Sequence, residues 1–96
     1  MIVRWTETAI GHLTAIHDYI AQDSPMYARR MVDRLTRRSQ QIEAFPLSGR
    51  VVPEYGTESV REVIERPYRI IYRVLPERID VVAVIHGARH LPELSP

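Results

Sequence analysis

Val60-Arg61-Glu62-Val63-Ile64-Glu65, Tyr68-Arg69-Ile70-Ile71-Tyr72-Arg73-Val74 and Ile79-Asp80-Val81-Val82-Ala83-Val84-Ile85-His86 decide the fold. Each run is rich in β-branched and aromatic residues, which suit a pleated backbone, so three strands are predicted. Arg66-Pro67 and Pro76-Glu77 occupy the two junctions. Connections this short join only antiparallel neighbours. Along the middle strand, Tyr68, Ile70, Tyr72 and Val74 point one way and Arg69, Ile71, Arg73 and Leu75 the other. One of these faces must cover a core. The other then presents a tyrosine pair or an arginine pair, with Arg50, Arg61 and Arg89 able to converge from adjacent segments.

Upstream of the strands the hydrophobic period changes. Ala9, Leu13, Ile16 and Ile20 recur at helical spacing and share a face. Thr6 is placed to cap that helix and Glu7 to complement its dipole. Gly11 lies inside it at a cost of about 1 kcal/mol against alanine, and close approach of a neighbouring element is the expected reason. Asp23-Ser24-Pro25 ends the first helix and begins a second, with Ser24 as N-cap and Pro25 at the first helical position. Ala28, Met31, Val32, Leu35, Ile42 and Phe45 form its apolar face, and arginines cover much of the rest. The tight junction and matched faces predict an antiparallel helical hairpin.

Ile2 to Trp5 reads as a brief strand, and the stretch from Pro46 to Thr57, with its prolines and glycines, as a loop or short extended passage. The prediction is therefore an α+β fold of order β-α-α-β-β-β, a single domain over residues 1–96. The helical hairpin packs on one face of a mostly antiparallel sheet and leaves the other face open.

Composition narrows the chemistry. The 96 residues lack cysteine, which removes disulfides, thiolate metal sites and a cysteine nucleophile. No targeting leader or membrane span is expected, and the cytoplasm is the expected location. The net charge is +1, too small for an indiscriminate polyanion binder. Yet all 13 basic residues are arginine, so every fixed cation is a planar multi-donor group suited to phosphate or carboxylate. A GC-rich genome explains much of that bias. With no lysine, no side-chain amine is available for proton transfer.

The arginines of the sheet have two readings: they hold a target, or they pair with Glu54, Glu62 and Glu65 and keep the sheet soluble. His86-Gly87-Ala88-Arg89-His90 offers imidazoles beside a cation at the end of the last strand, the best acid–base candidate in the chain. His12 and His17 diverge by about 140° on a helix, so no metal site is expected. No phosphate loop, H-E-x-x-H or G-x-S-x-G pattern occurs. Trp5, Tyr19, Phe45 and Tyr55 are expected in the core or at its edge.

Trp5 with its following helix, Tyr19-Ile20-Ala21-Gln22-Asp23-Ser24-Pro25, Phe45-Pro46-Leu47-Ser48-Gly49-Arg50, Tyr68 to Val74 and His86-Gly87-Ala88-Arg89 together resemble the RelE/ParE toxin family of type II toxin–antitoxin systems. The resemblance spans nearly the whole chain and favours the ParE-like branch. It implies a growth-arresting toxin, with no cofactor, neutralised by a cognate antitoxin whose tail folds along the hairpin and sheet. A toxin homodimer within a toxin–antitoxin heterotetramer is one assembly such pairs take. ParE-like members block DNA gyrase; RelE-like members cut mRNA on the ribosome. On the gyrase reading, Arg50, Arg61, Arg69, Arg73 and Arg89 are the target-binding set and no catalytic residue is assigned. On the nuclease reading, Arg61 and Arg73 contact phosphate, and His86 or His90 stands at the family's terminal His or Tyr position. The lysines of RelE-like sites have no counterpart here, and no tyrosine follows His90, so the resemblance points to ParE-like inhibition.

Overall fold

The structure is a computed structural model that describes residues 1–87. Its elements run β1 (Ile2–Trp5), α1 (Glu7–Ala21), α2 (Pro25–Ala44), β2 (Arg50–Val51), β3 (Val60–Glu65), β4 (Tyr68–Val74) and β5 (Arg78–His86). Among the described residues they form one five-stranded sheet of order β1-β5-β4-β3-β2. β1 runs parallel to β5, and the remaining pairs are antiparallel. The predicted α+β order and helical hairpin are therefore present, with one two-residue strand added inside the expected loop.

Local chemistry sets the helix boundaries. The Thr6 hydroxyl accepts from the Ala9 amide at 3.2 Å and donates to the Val81 carbonyl at 3.1 Å, so one side chain both caps α1 and fastens it to β5. Ser24 caps α2 by accepting from the Tyr27 amide at 3.1 Å, with Pro25 in the first turn. Helix α2 ends at Ala44 because Pro46 pushes the preceding residue out of the helical region; Phe45 sits at φ −136°, ψ 75°. That turn carries the Phe45 ring off the apolar face and into solvent, contrary to the sequence expectation. Tyr19 is likewise exposed, one position off the Ile16 and Ile20 stripe.

The main core lies between the hairpin and the sheet. Ala9, Leu13, Ile16 and Ile20 of α1 and Met31, Leu35 and Ile42 of α2 meet Val63, Tyr68, Ile70, Tyr72, Ile79, Val81 and Val84. The tyrosine face of β4 is thus the helix side, and the arginine face is the outer one. Trp5 packs at the edge of this core and its indole N–H reaches the buried Ser39 hydroxyl at 3.3 Å. The outer face is not open as expected. The chain after β2 folds across it, placing Val52 and Tyr55 against Val60, Ile71 and Ala83 in a second apolar cluster. A bulge between Ile71 and Tyr72 in the β4–β5 register puts Val82 and Ala83 together on this side.

His12 reaches further than its place off the apolar stripe suggested. Its Nδ1 accepts from the Val84 amide at 3.2 Å, covering a strand N–H beyond the end of β1. Gly11 is the opposite case: a Cβ there would meet nothing within 4 Å, so no close approach requires glycine. Gly11→Ala is therefore expected to stabilise the protein by about 0.5–1 kcal/mol, raising the thermal midpoint by several degrees. A midpoint that falls would show that α1 needs this glycine for a reason other than packing.

Candidate functional site

Two groups of charged side chains occupy the outer face, and the strand register separates them. Near its centre, Arg69 of β4 is only 6% exposed. Its Nη1 and Nη2 donate to the two carboxylate oxygens of Glu54, each at 2.9 Å, and its Nε donates to Glu62 at 2.5 Å. Glu62 is itself 1% exposed and also accepts from Arg50 Nε. The Glu54 hydrogen bonds hold the Arg69 guanidinium above its ordinary pKa; burial opposes this and Glu62 reinforces it. Arg69 is therefore permanently charged, but three of its donors are spent on carboxylates. The pair also anchors the chain after β2, since Glu54 lies between Val52 and Tyr55 of the outer cluster.

The second group gathers on the other side of the outer face. Asp80 of β5 stands opposite Arg4 of β1 and Arg73 of β4. Cross-strand partners share a face, so the three lie in a row. Arg78, two residues before Asp80, points the same way. Arg4 and Arg78 both reach the Asp80 carboxylate, at 3.3 and 2.9 Å, while their side chains stay 59% and 42% exposed. Burial raises the Asp80 pKa, but the hydrogen bond from Arg78 and the charges of Arg4 and Arg78 outweigh it, and the net shift is downward.

Arg61 serves a third purpose. It pairs with Tyr72 on the helix side of the sheet. Its Nη1 donates to the Gly49 carbonyl at 3.0 Å and its Nε to the Glu58 carbonyl at 3.0 Å. The Tyr72 hydroxyl accepts from the Gly49 amide at 3.0 Å and donates to the Pro46 carbonyl at 2.8 Å. A Cβ on Gly49 would stand 2.5 Å from both that hydroxyl and the Glu62 carbonyl, so only glycine fits. The Pro46-Leu47-Ser48-Gly49 segment is thus a backbone clamp held by Tyr72 and Arg61.

These placements redistribute the expected site. Of the five arginines anticipated for target binding, Arg73 is exposed, Arg50 is partly engaged by Glu62, Arg61 serves the clamp and Arg69 is buried. Arg89, like His90, lies outside the described residues. Arg61, Arg73 and His86, grouped on the nuclease reading, do not converge. His86 pairs with Tyr68, against which its ring packs edge-on with centroids 5.9 Å apart. Arg73 is five residues further along β4, about 16 Å away at strand rise, and on the opposite face from His86 and Arg61. Arg4, Arg78 and Asp80 were missed. Their only sequence signal is the Arg-x-Asp alternation at the start of β5, and the parallel pairing that brings in Arg4 leaves no local trace. Among the described residues no group of three His, Asp or Glu side chains could hold a metal ion, and no helix is long and apolar enough to cross a membrane.

Fold and site define a small α+β protein with an arginine-bearing sheet face. The family model for the ParE toxin of type II toxin–antitoxin systems, parDE, matches residues 3–91. The chain is 40% identical over 88 residues to Toxin RelE2 of Caulobacter vibrioides, covering 91% of this chain and 96% of that protein. It also superposes on a chain of a chromosomal ParDE toxin–antitoxin system from P. aeruginosa with a TM-score of 0.75 and 25% identity, covering 90% of this chain and 95% of that one. The chain belongs to the ParE toxin family of type II toxin–antitoxin systems.

The lowered Asp80 pKa fixes the sign of an acid effect. Its contribution to stability is present above the unfolded value of about 3.9 and is lost as pH falls through the lower folded value. The stability gap between the wild type and Asp80→Asn is therefore expected to narrow between about pH 4 and pH 2, as read from urea midpoints. A gap that stays constant over that range would show that Asp80 is not held by its arginines.

Proposed function

We propose that the protein arrests growth by binding DNA gyrase without cutting RNA, and that a cognate antitoxin neutralises it. Membership of the ParE toxin family supports both halves of this reading. The observation that carries the choice against cleavage is the separation of the groups a nuclease would need: His86 and the exposed Arg73 lie on opposite faces of the sheet, about 16 Å apart at strand rise. Cutting RNA needs a cation free to hold the scissile phosphate, an acceptor for the 2′-hydroxyl proton and a donor for the leaving oxygen. Arg69, at the middle of the sheet, is buried and neutralised by Glu54 and Glu62 and offers no free cation. The described imidazole of the last strand, His86, packs on Tyr68 at the far end of β4 from Arg61 and Arg73. Positioning of this kind supports grip and opposes acid–base chemistry, because a base acts only within hydrogen-bond reach of its proton.

Two assays run on one preparation test the reading. Purified protein is expected to inhibit supercoiling by gyrase, and the inhibition to vanish on adding the antitoxin encoded beside it. In a translation extract, mapped transcript ends are expected to be unchanged. Intact supercoiling together with new transcript ends would overturn the proposal in favour of ribosome-dependent mRNA cleavage.

A further inference from the structure

We infer that Arg4, Arg73 and Arg78, set around Asp80, form the surface through which the protein holds an acidic segment of the gyrase protein. The inference rests on the gyrase reading and gives it a place on the molecule. Asp80 is flanked directly by Arg4 on one neighbouring strand and Arg73 on the other. With strands about 4.8 Å apart, the backbones of Arg4 and Arg73 are about 10 Å from each other, a span that two or three carboxylates of one segment can bridge. Asp80 holds Arg4 and Arg78 by ion pairs of 3.3 and 2.9 Å, which fixes their side chains before any partner arrives and reduces the ordering cost of binding. Arg73 has no ion pair among the described residues and is exposed, so its charge is available to a partner. Three guanidiniums around one carboxylate leave the patch with a net charge of +2.

Carboxylate on a protein fits this surface better than the phosphates of DNA. Three cations neutralise few phosphates, and the chain as a whole carries only +1, so a duplex would gain little from counterion release. The patch also has an apolar margin. Ile2 is the cross-strand partner of Arg78, lies on the same face and is 71% exposed. An arginine group beside an exposed aliphatic side chain matches the usual composition of protein–protein contacts. Asp80 adds selectivity, because it repels any segment whose charges are not spaced to meet the three arginines around it.

Binding of the full chain to DNA-free gyrase, with Arg73→Glu and Arg37→Glu compared to the wild type, tests this. Arg37 is exposed on α2, away from the patch, so its variant makes the same change in net charge. Both variants must first show wild-type thermal unfolding. Arg73→Lys, which keeps charge but not the planar fork, is included as the conservative change. Arg73→Glu is expected to bind at least tenfold more weakly, Arg73→Lys about threefold more weakly and Arg37→Glu within twofold of wild type. Equal weakening by Arg73→Glu and Arg37→Glu, or no weakening by either, would overturn the inference while leaving the gyrase reading intact. A loss seen only when DNA is added assigns the patch to phosphate and overturns it too. If Arg73→Glu inhibits gyrase normally but escapes the antitoxin, the patch belongs to the antitoxin instead. Failure of the wild type to bind gyrase removes the gyrase reading and this inference together.

Discussion

The insertion of the Arg69 guanidinium between Glu54 and Glu62 governs the outer half of this molecule. Charges taken out of water cost several kcal/mol each unless their partners replace the lost hydration, and a planar fork meeting two carboxylates does so efficiently. Glu54 meets both Nη atoms and Glu62 meets Nε. The consequence is structural as much as electrostatic. The segment after β2 carries Glu54, so satisfying Arg69 draws Val52 and Tyr55 down over Val60, Ile71 and Ala83. A face that would be wet in a two-layer fold becomes a second small core.

That arrangement divides the arginines by task. One is buried as a staple, Arg61 and the Tyr72 hydroxyl secure the turn around Gly49, and Arg34 ties α2 to the β3–β4 turn through Glu65 at 2.7 Å. The exposed arginines of the outer face are Arg50 beside Glu62 and, on the other side, Arg4, Arg73 and Arg78 around Asp80. The composition, with arginine as the sole basic residue, had suggested a broadly cationic sheet. The paired carboxylates reduce it to a small and directional patch. Such restriction limits indiscriminate binding, because unpaired charge spread over the sheet would bind polyanions of every kind.

Strands β3, β4 and β5, the helical hairpin and both N-caps could be read from the sequence because each depends on local spacing: period two, period 3.6, and a Ser or Thr ahead of an apolar run. The two faces of β4 were also legible, as a choice between tyrosines and arginines; which one faced outward depended on the helices. What sequence reading missed came from long-range pairing. Glu54 and Arg69 are 15 residues apart, and Arg4 and Asp80 are 76 apart. No periodicity reports such contacts. Phe45 continues the helical stripe in spacing but leaves it in space because Pro46 ends α2 first, and Gly11 has no close neighbour to require it.

Arg69 is a buried partner of Glu54 and not a free cation. A double-mutant cycle on Glu54→Ala and Arg69→Ala, followed by urea unfolding, measures it directly. If the pair is buried and coupled as described, either single change costs about 3 kcal/mol or more, and the double variant is little worse than one of them, giving a coupling well above 1 kcal/mol. A coupling below about 0.5 kcal/mol, the range of exposed pairs, would mean that Arg69 is available on the surface and would contradict the account.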